Sequence, residues 1–307
     1  MKTIALSISD RTIRFIEINE KKEISFVDSF DTTFSFTECF RTGVYNDAIV
    51  AEAANVIHEA IKDKNFNSNK IGVLLDSCFA FINTIPIEYS EDAPSIASSL
   101  LWDLSNYFPD NYKNFKLNYY KLENKKFAEN VKDTLYIAIE NDKLEIIKKI
   151  MHTCRLKVGL FDIDHFAVEK YIRDLYKPHL SSKRCLYIRC KRNRFDISII
   201  GSNSLNHFEF IMFKESNYVN KLSGFLDKIK SDDDLKAFDF VVLYGDDFTI
   251  DIFNWLSSAL PDIKIYLPDP FSELALHSRV NNNLKFREEG NKFLPACGLA
   301  LKGLYCV

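Results

Sequence analysis

The chain has 307 residues, and 40 Lys and Arg against 43 Asp and Glu leave a net charge of −3, so no overall charge draws it to nucleic acid or to an acidic membrane surface. A composition 47% hydrophobic and 27% charged is that of a globular chain rather than a disordered one. At roughly 150 residues per domain the length predicts two domains, and no apolar run approaches the ~20 residues of a membrane helix.

Residues 3–8 and 13–18 alternate apolar and polar side chains as strands do, around the polar turn Ser9, Asp10, Arg11 and Thr12. A third strand is predicted at 23–30. Ala48, Val50, Ala54, Ile57 and Ile61 form the apolar stripe of a helix at 46–64, with Asn46 as its N-cap. A strand at 70–75 precedes another at 78–85, which Pro86 and an acidic loop should end. Ile96, Leu100, Leu104 and Phe108 recur every four residues on a helix at 95–108, stopped by Pro109. Residues 115–122 and 134–140 read as an antiparallel pair. A helix at 141–154, a strand at 156–163 and a helix at 164–176 follow, and 177–182, with Pro178, is the predicted linker.

The opening pattern then returns. Leu186, Ile188, Arg194 and Phe195 lie 180 positions after Leu6, Ile8, Arg14 and Phe15, each set in a hairpin with a polar tip, 9–12 and 191–194. After a further strand come a helix at 216–229, strands at 238–244 and 264–267 around a helix at 249–260, and a last helix at 293–305. This order predicts two duplicated, mixed-sheet α/β domains with a cleft between them.

Four segments carry a resemblance. ALSISDRTIRFIE (5–17) resembles the opening phosphate hairpin of the PilM pilus-assembly family, relatives of the cell-division protein FtsA within the actin-like ATPase superfamily. WDLSNYFP (102–109) is similar to the aromatic-Pro corner of that family's inserted subdomain. LFDIDHFAV (160–168) is similar to its connecting segment, and FLPACGLALKGL (293–304) to its closing helix. The resemblance implies an actin-like ATPase (ribonuclease H-like) fold. Domain I would span 1–178, with a small inserted α+β subdomain at about 76–157, domain II 179–275, and 276–307 would return to domain I. It implies a cytoplasmic scaffold of type IV pilus or related secretion machinery, peripheral at the inner membrane through the tail of a PilN-type bitopic partner. Trp102, Tyr107 and Phe108 are the candidates for lining the tail's groove. A pilus motor ATPase and a second copy of the chain are further partners it allows.

The departures from that pattern concern the nucleotide. The expected cleft would draw on Ser9, Asp10, Arg11 and Thr12 of the first hairpin, Arg189 and Lys191 of the second, and Gly245 and Asp246 of the third motif. Positions where the superfamily places Asp and Gly hold Ser7 and Ser9 in the first hairpin, Tyr187 and Arg189 in the second, and one glycine of the third pair is left. With nine Gly in the chain and neither G-x-G-x-x-G nor G-x-x-x-x-G-K-[ST], a phosphate cradle is disfavoured, and so are ATP and Mg²⁺ as cofactors. A nucleotide-binding switch or filament-forming ATPase is the alternative.

Several residues read two ways. Arg189, Lys191, Arg192 and Arg194 fit an anion site or a solvated hairpin tip. Asp162 and Asp164 fit a metal or water site, Asp164 also a helix N-cap. Asp246 and Asp247 fit catalysis at a strand end or the complement of the next helix dipole. His165 reads as a first-turn residue, and Asp232, Asp233 and Asp234 as a loop. The seven Cys include no C-x-x-C pair, which points to reduced thiols, with Cys185, Cys190 and Cys297 in the core.

Overall fold

The computed structural model describes residues 2–42, 47–62, 70–89, 93–123, 130–180, 183–201, 204–214, 217–232, 238–281 and 284–304. The expected N-cap Asn46, the predicted helix ends at 64, 216 and 305, the linker residues Ser181 and Ser182, and Asp233 and Asp234 lie outside them.

The chain opens with strands β1 (Lys2–Ile8), β2 (Thr12–Asn19) and β3 (Glu23–Asp31), helices α1 (Phe36–Thr42) and α2 (Asp47–Ile61), and strand β4 (Lys70–Leu75). Then come β5 (Phe81–Glu88), α3 (Ala93–Tyr107), β6 (Phe115–Lys121), β7 (Val131–Glu140), α4 (Asn141–Thr153), β8 (Lys157–Ile163) and α5 (Asp164–Leu180). The second half carries β9 (Cys185–Lys191), β10 (Arg194–Gly201), β11 (Ser204–Met212), α6 (Tyr218–Ser231), β12 (Phe240–Tyr244), α7 (Ile250–Ala259) and β13 (Lys264–Tyr266). It closes with α8 (Pro270–Glu273), β14 (Ala275–Leu276), α9 (Ser278–Asn281) and α10 (Leu294–Gly303).

The chain divides into two units. The first comprises Met1–Phe81, Ile139–Tyr176 and Asp269–Val307, the second Ile82–Ala138 and Lys177–Pro268. These ranges differ from those expected, because 82–138 group with the second half and α4 with the first. Three hydrogen bonds show why. The Glu123 N–H donates to the Leu205 carbonyl, and Asn206 Nδ2 to that of Glu123. On the other side, the Cys154 thiol at the end of α4 donates to Ala54 O of α2.

In the first unit the sheet order is β14-β3-β2-β1-β4-β8, with β1–β2 and β2–β3 antiparallel and β1–β4 and β4–β8 parallel. Residues 13–18 of β2 are buried on both faces of the sheet. Helix α10 is buried from Leu294 to Leu301, as an apolar helix must be when it has neighbours on every side. Its small residues permit the approach: a Cβ on Gly298 would meet Ala167 O of α5 at 2.0 Å.

In the second unit the order is β11-β10-β9-β12-β13, with β9–β10 and β10–β11 antiparallel and β9–β12 and β12–β13 parallel. That repeats, strand for strand, the order β3-β2-β1-β4-β8 of the first sheet. One face of β9 and β10 supplies Leu186, Ile188, Phe195, Ile197 and Ile199 to a core shared with Leu222, Phe225 and Leu226 of α6 and Leu256 of α7. Each such side chain contributes about 1.5–3 kcal/mol on burial. A three-stranded sheet, β5-β7-β6, joins α3, which buries Ile96, Leu100 and Leu104 while Asp103 accepts a 2.6 Å hydrogen bond from Tyr136 of β7.

Four local differences from the sequence reading have physical causes. The strand expected from 78 begins at Phe81, after a 3-10 turn at Ser77–Phe79 that Asp76 caps through the Cys78 N–H. That strand, β5, runs on through Pro86, which is tolerated because β5 ends its sheet. The predicted linker is helical as far as Leu180, because α5 carries on through it and places Pro178 in its last turn. The second hairpin is tighter than expected: Lys191 pairs with Arg194 inside the strands, leaving Arg192 and Asn193 as a two-residue turn. The cysteines among the described residues are free, and Cys185, Cys190 and Cys297 are buried. Among these residues no helix is long and apolar enough to cross a membrane.

Candidate functional site

The residues expected around a nucleotide fall in both units, and each group is described within its own. In the first unit, Ser9 N–H donates to Thr12 O at 2.9 Å and closes the turn between β1 and β2. Asp10 is half-buried at that turn, and its Oδ1 accepts hydrogen bonds from Ser35 Oγ and, at 2.9 Å, from the Thr37 N–H. Burial alone would raise its pKa. The hydrogen bonds from Ser35 and Thr37 outweigh that and hold the carboxyl below its ordinary range. Asp10 thus serves the first turn of α1, where orphan N–H groups need acceptors. Thr12 Oγ1 donates to Asp31 Oδ1 at 3.1 Å, and Arg11 is exposed. Ser7 is buried in β1 opposite Arg14, whose guanidinium lies 5.9 Å from the centre of the Phe293 ring.

The acids of the connecting segment, in the same unit, are also engaged. Asp162 at the end of β8 forms an ion pair with Lys302 of α10. Asp164, 1% exposed, accepts from its neighbour His165 N–H at 2.7 Å and from Ser77 N–H at 3.1 Å, joining the start of α5 to the 77–79 turn. His165 is buried edge-on against Phe166.

In the second unit the strand register decides the chemistry. Arg189 pairs with Asp196 across β9 and β10, and Lys191 with Arg194, so all four side chains point to the sheet face opposite the apolar core. Asp196 is fully buried. Lys191 Nζ lies 3.0 Å from its Oδ2, and Arg194 Nε 2.7 Å from its Oδ1. Arg189, 2% exposed, directs Nη2 to Asp246 Oδ2 at 3.5 Å. These three cations are thus paired with carboxylates of the same unit rather than lying on a solvated tip. Sequence reasoning missed Asp196, although its signal was there: Arg194, Asp196 and Ser198 alternate with Phe195, Ile197 and Ile199.

Gly245 follows β12 with φ +129°, and a Cβ there would lie 2.2 Å from Cys190 O, so the turn needs glycine for both conformation and space. Burial pushes the Cys190 thiol up, as it does those of Cys185 and Cys297, which suits core residues and not nucleophiles. Thr249 caps α7, accepting from Ile252 N–H, so Asp246 is free of that duty and serves Arg189.

On α3, Trp102 is 70% exposed and Tyr107 55%, while Phe108 packs its ring 4.9 Å from that of Phe115. Trp102 and Tyr107 are five residues apart, roughly 140° around the helix, so they present two faces rather than one.

No family model matches the sequence, and no curated protein does. Solved structures do. The chain is similar to one in the PilM-PilN type IV pilus biogenesis complex, with a TM-score of 0.74, 12% identity and 98% of each chain covered. It is also similar to a Bacteroides thetaiotaomicron protein with actin-like ATPase fold and unknown function, at a TM-score of 0.50 and 13% identity, over 86% of this chain and 90% of that one. The fold is that of the actin-like ATPases. At these identities the likeness establishes the architecture, and the duplicated strand orders of the two sheets agree with it.

Proposed function

We propose that this chain is a PilM-like scaffold of type IV pilus or related secretion machinery that holds the cytoplasmic tail of a PilN-type membrane partner and does not use ATP. The observation that carries the reading is the TM-score of 0.74 over 98% of both chains with a protein solved in a PilM-PilN complex. The chain would work in the cytoplasm, held at the inner membrane through that partner, with a pilus motor ATPase or a second copy as further contacts. The side chains at the expected nucleotide positions do not fit Mg²⁺–ATP. Magnesium needs carboxylate and water oxygens, yet Asp10 serves α1 and Asp246 serves Arg189. The second hairpin would have to give up the ion pairs of Lys191 and Arg194 with Asp196 before those cations met a phosphate.

Exposed Trp102 is the side chain best suited to bury against a tail, since aromatic anchors dominate interface energies. Calorimetric titration of the full chain with a synthetic tail peptide of a PilN-type protein tests the reading. Binding is expected, and Trp102→Ala should weaken it by about 1–3 kcal/mol. A peptide that does not bind the wild-type chain overturns the scaffold reading. Undiminished binding by a folded Trp102→Ala variant removes that residue from the site.

A further inference from the structure

Strand β11 ends its sheet, and among the described residues no strand pairs with its outer side. The register states which backbone groups face that side. Phe213 N–H donates to Asn193 O, and Ile211 stands opposite Phe195, so from 207 to 213 the odd-numbered residues turn their backbone groups toward β10. Phe210 and Met212 therefore turn theirs outward. Their side chains are 44% and 53% exposed, an unusual degree for large apolar residues in a strand. Beside them runs a groove of about 300 Å³, lined by Phe208 and Phe210 on one side, Ile82, Asn83 and Thr84 of β5 on the other, and Leu135. That volume is at the lower end of ligand pockets.

Charge marks one end of this edge. Arg194, in register with Met212, places its guanidinium 5.5 Å from the centre of the Phe210 ring, and the turn residue Arg192 and Lys214 are exposed nearby. The Glu209 carboxylate, the acid that lines the groove, is already bound by His207 and Lys228.

We propose that the outer edge of β11 binds one extended peptide strand of a partner protein, apolar at alternate positions and acidic at the end that lies beside Met212. The outward N–H and C=O groups of Phe210 and Met212 would continue the sheet, the groove would take the alternate side chains, and the basic end would set the direction. The inference does not depend on a pilus role.

The probes are two fluorescein-labelled peptides, Thr-Val-Thr-Val-Thr-Val-Glu-Glu and its reversed sequence, each also made with N-methyl groups on alternate residues. With the full chain, fluorescence anisotropy should show one orientation binding better than the other. N-methylation of the residues that face β11 should weaken that peptide about tenfold or more, as the loss of two backbone hydrogen bonds predicts. Amide exchange at Phe210 and Met212 should slow on binding, Arg192→Glu should weaken the acidic peptide, and Phe210→Pro should abolish the complex. If Phe210→Pro does not fold, the N-methylated probes carry the same test on the wild-type chain. Binding by neither peptide, indifference to N-methylation, or protection at sites other than β11 would each overturn the proposal.

Discussion

Asp196 is the residue on which the second hairpin depends. It has no access to solvent, and the ammonium of Lys191 and the guanidinium of Arg194 close on its two oxygens. Removing one partner of a buried charge cluster leaves the others desolvated and unpaired, which costs about 3–5 kcal/mol. Asp196→Ala should therefore lower the unfolding free energy by that amount in a urea titration, whereas a variant at exposed Arg192 should fall within about 0.5 kcal/mol of wild type. A loss under 1 kcal/mol for Asp196→Ala would mean that the cluster is not closed as described. Gly245 makes a second, sharper case. Alanine there must adopt φ +129° and place a Cβ 2.2 Å from Cys190 O, so both strain and overlap oppose it. Gly245→Ala should destabilise by about 1–3 kcal/mol or more, measured the same way, and a neutral result would contradict the turn's geometry.

At the scale of elements, Glu209 ties β11 to α6. His207 Nε2 lies 3.3 Å from its Oε2, and Lys228 of α6 donates to the same oxygen at 2.6 Å. The hydrogen bond with His207, then that from Lys228, prevails over the burial that would raise the carboxyl, and its pKa is held at about 2. A pKa depressed on folding means that the unfolded chain takes up the proton first. The contribution is therefore full above the unfolded value of about 4.3 and fades as pH falls toward 2. Glu209→Gln should accordingly be less stable than wild type at pH 7, with the gap narrowing below pH 4; an unchanging gap across that range would exclude the ion pair as its source. The same scale shows what was legible beforehand. Hairpins and the amphipathic α3 could be read because periodicity reports burial, as Ile96, Leu100 and Leu104 illustrate. The repeated order of elements was legible, but the four recurring residues do not mark equivalent places, since Leu6 pairs with Phe15 whereas Leu186 pairs with Ile199 and Phe195 with Cys190. The site was harder, because what a charged residue does depends on pairing register. Lys191 and Arg194 looked like a tip until a two-residue turn placed them inside the strands facing Asp196. Asp10 looked like a phosphate-loop residue, but its partners Ser35 and Thr37 lie 25 and 27 positions away. The partners of Asp162 and Asp164 are farther still, at Lys302 and Ser77.

For the whole molecule, both halves keep one strand order while their hairpins have diverged in opposite ways. The first turns through four residues, Ser9–Thr12, in which Asp10 supports a neighbouring helix; the second turns through two, Arg192–Asn193, and holds Lys191 and Arg194 on buried Asp196. A nucleotide held at such a hairpin would need backbone N–H groups that approach its phosphates closely and a carboxylate available for magnesium. The side chains of Asp10, Arg189, Lys191 and Arg194 are already engaged, with Ser35, Thr37, Asp246 and Asp196. A thermal melt with and without millimolar MgATP or MgADP puts this to the test. A ligand present at 100 times its Kd adds about 2.7 kcal/mol to the native state, enough to raise the midpoint of a chain this size by several degrees. The expected result is no shift with either nucleotide, for wild type and for Lys191→Ala alike. A magnesium-dependent rise of several degrees would reverse the reading, because it would require the hairpin cations to leave their carboxylates for a phosphate, and the chain would then act as a nucleotide-controlled switch on the same actin-like frame.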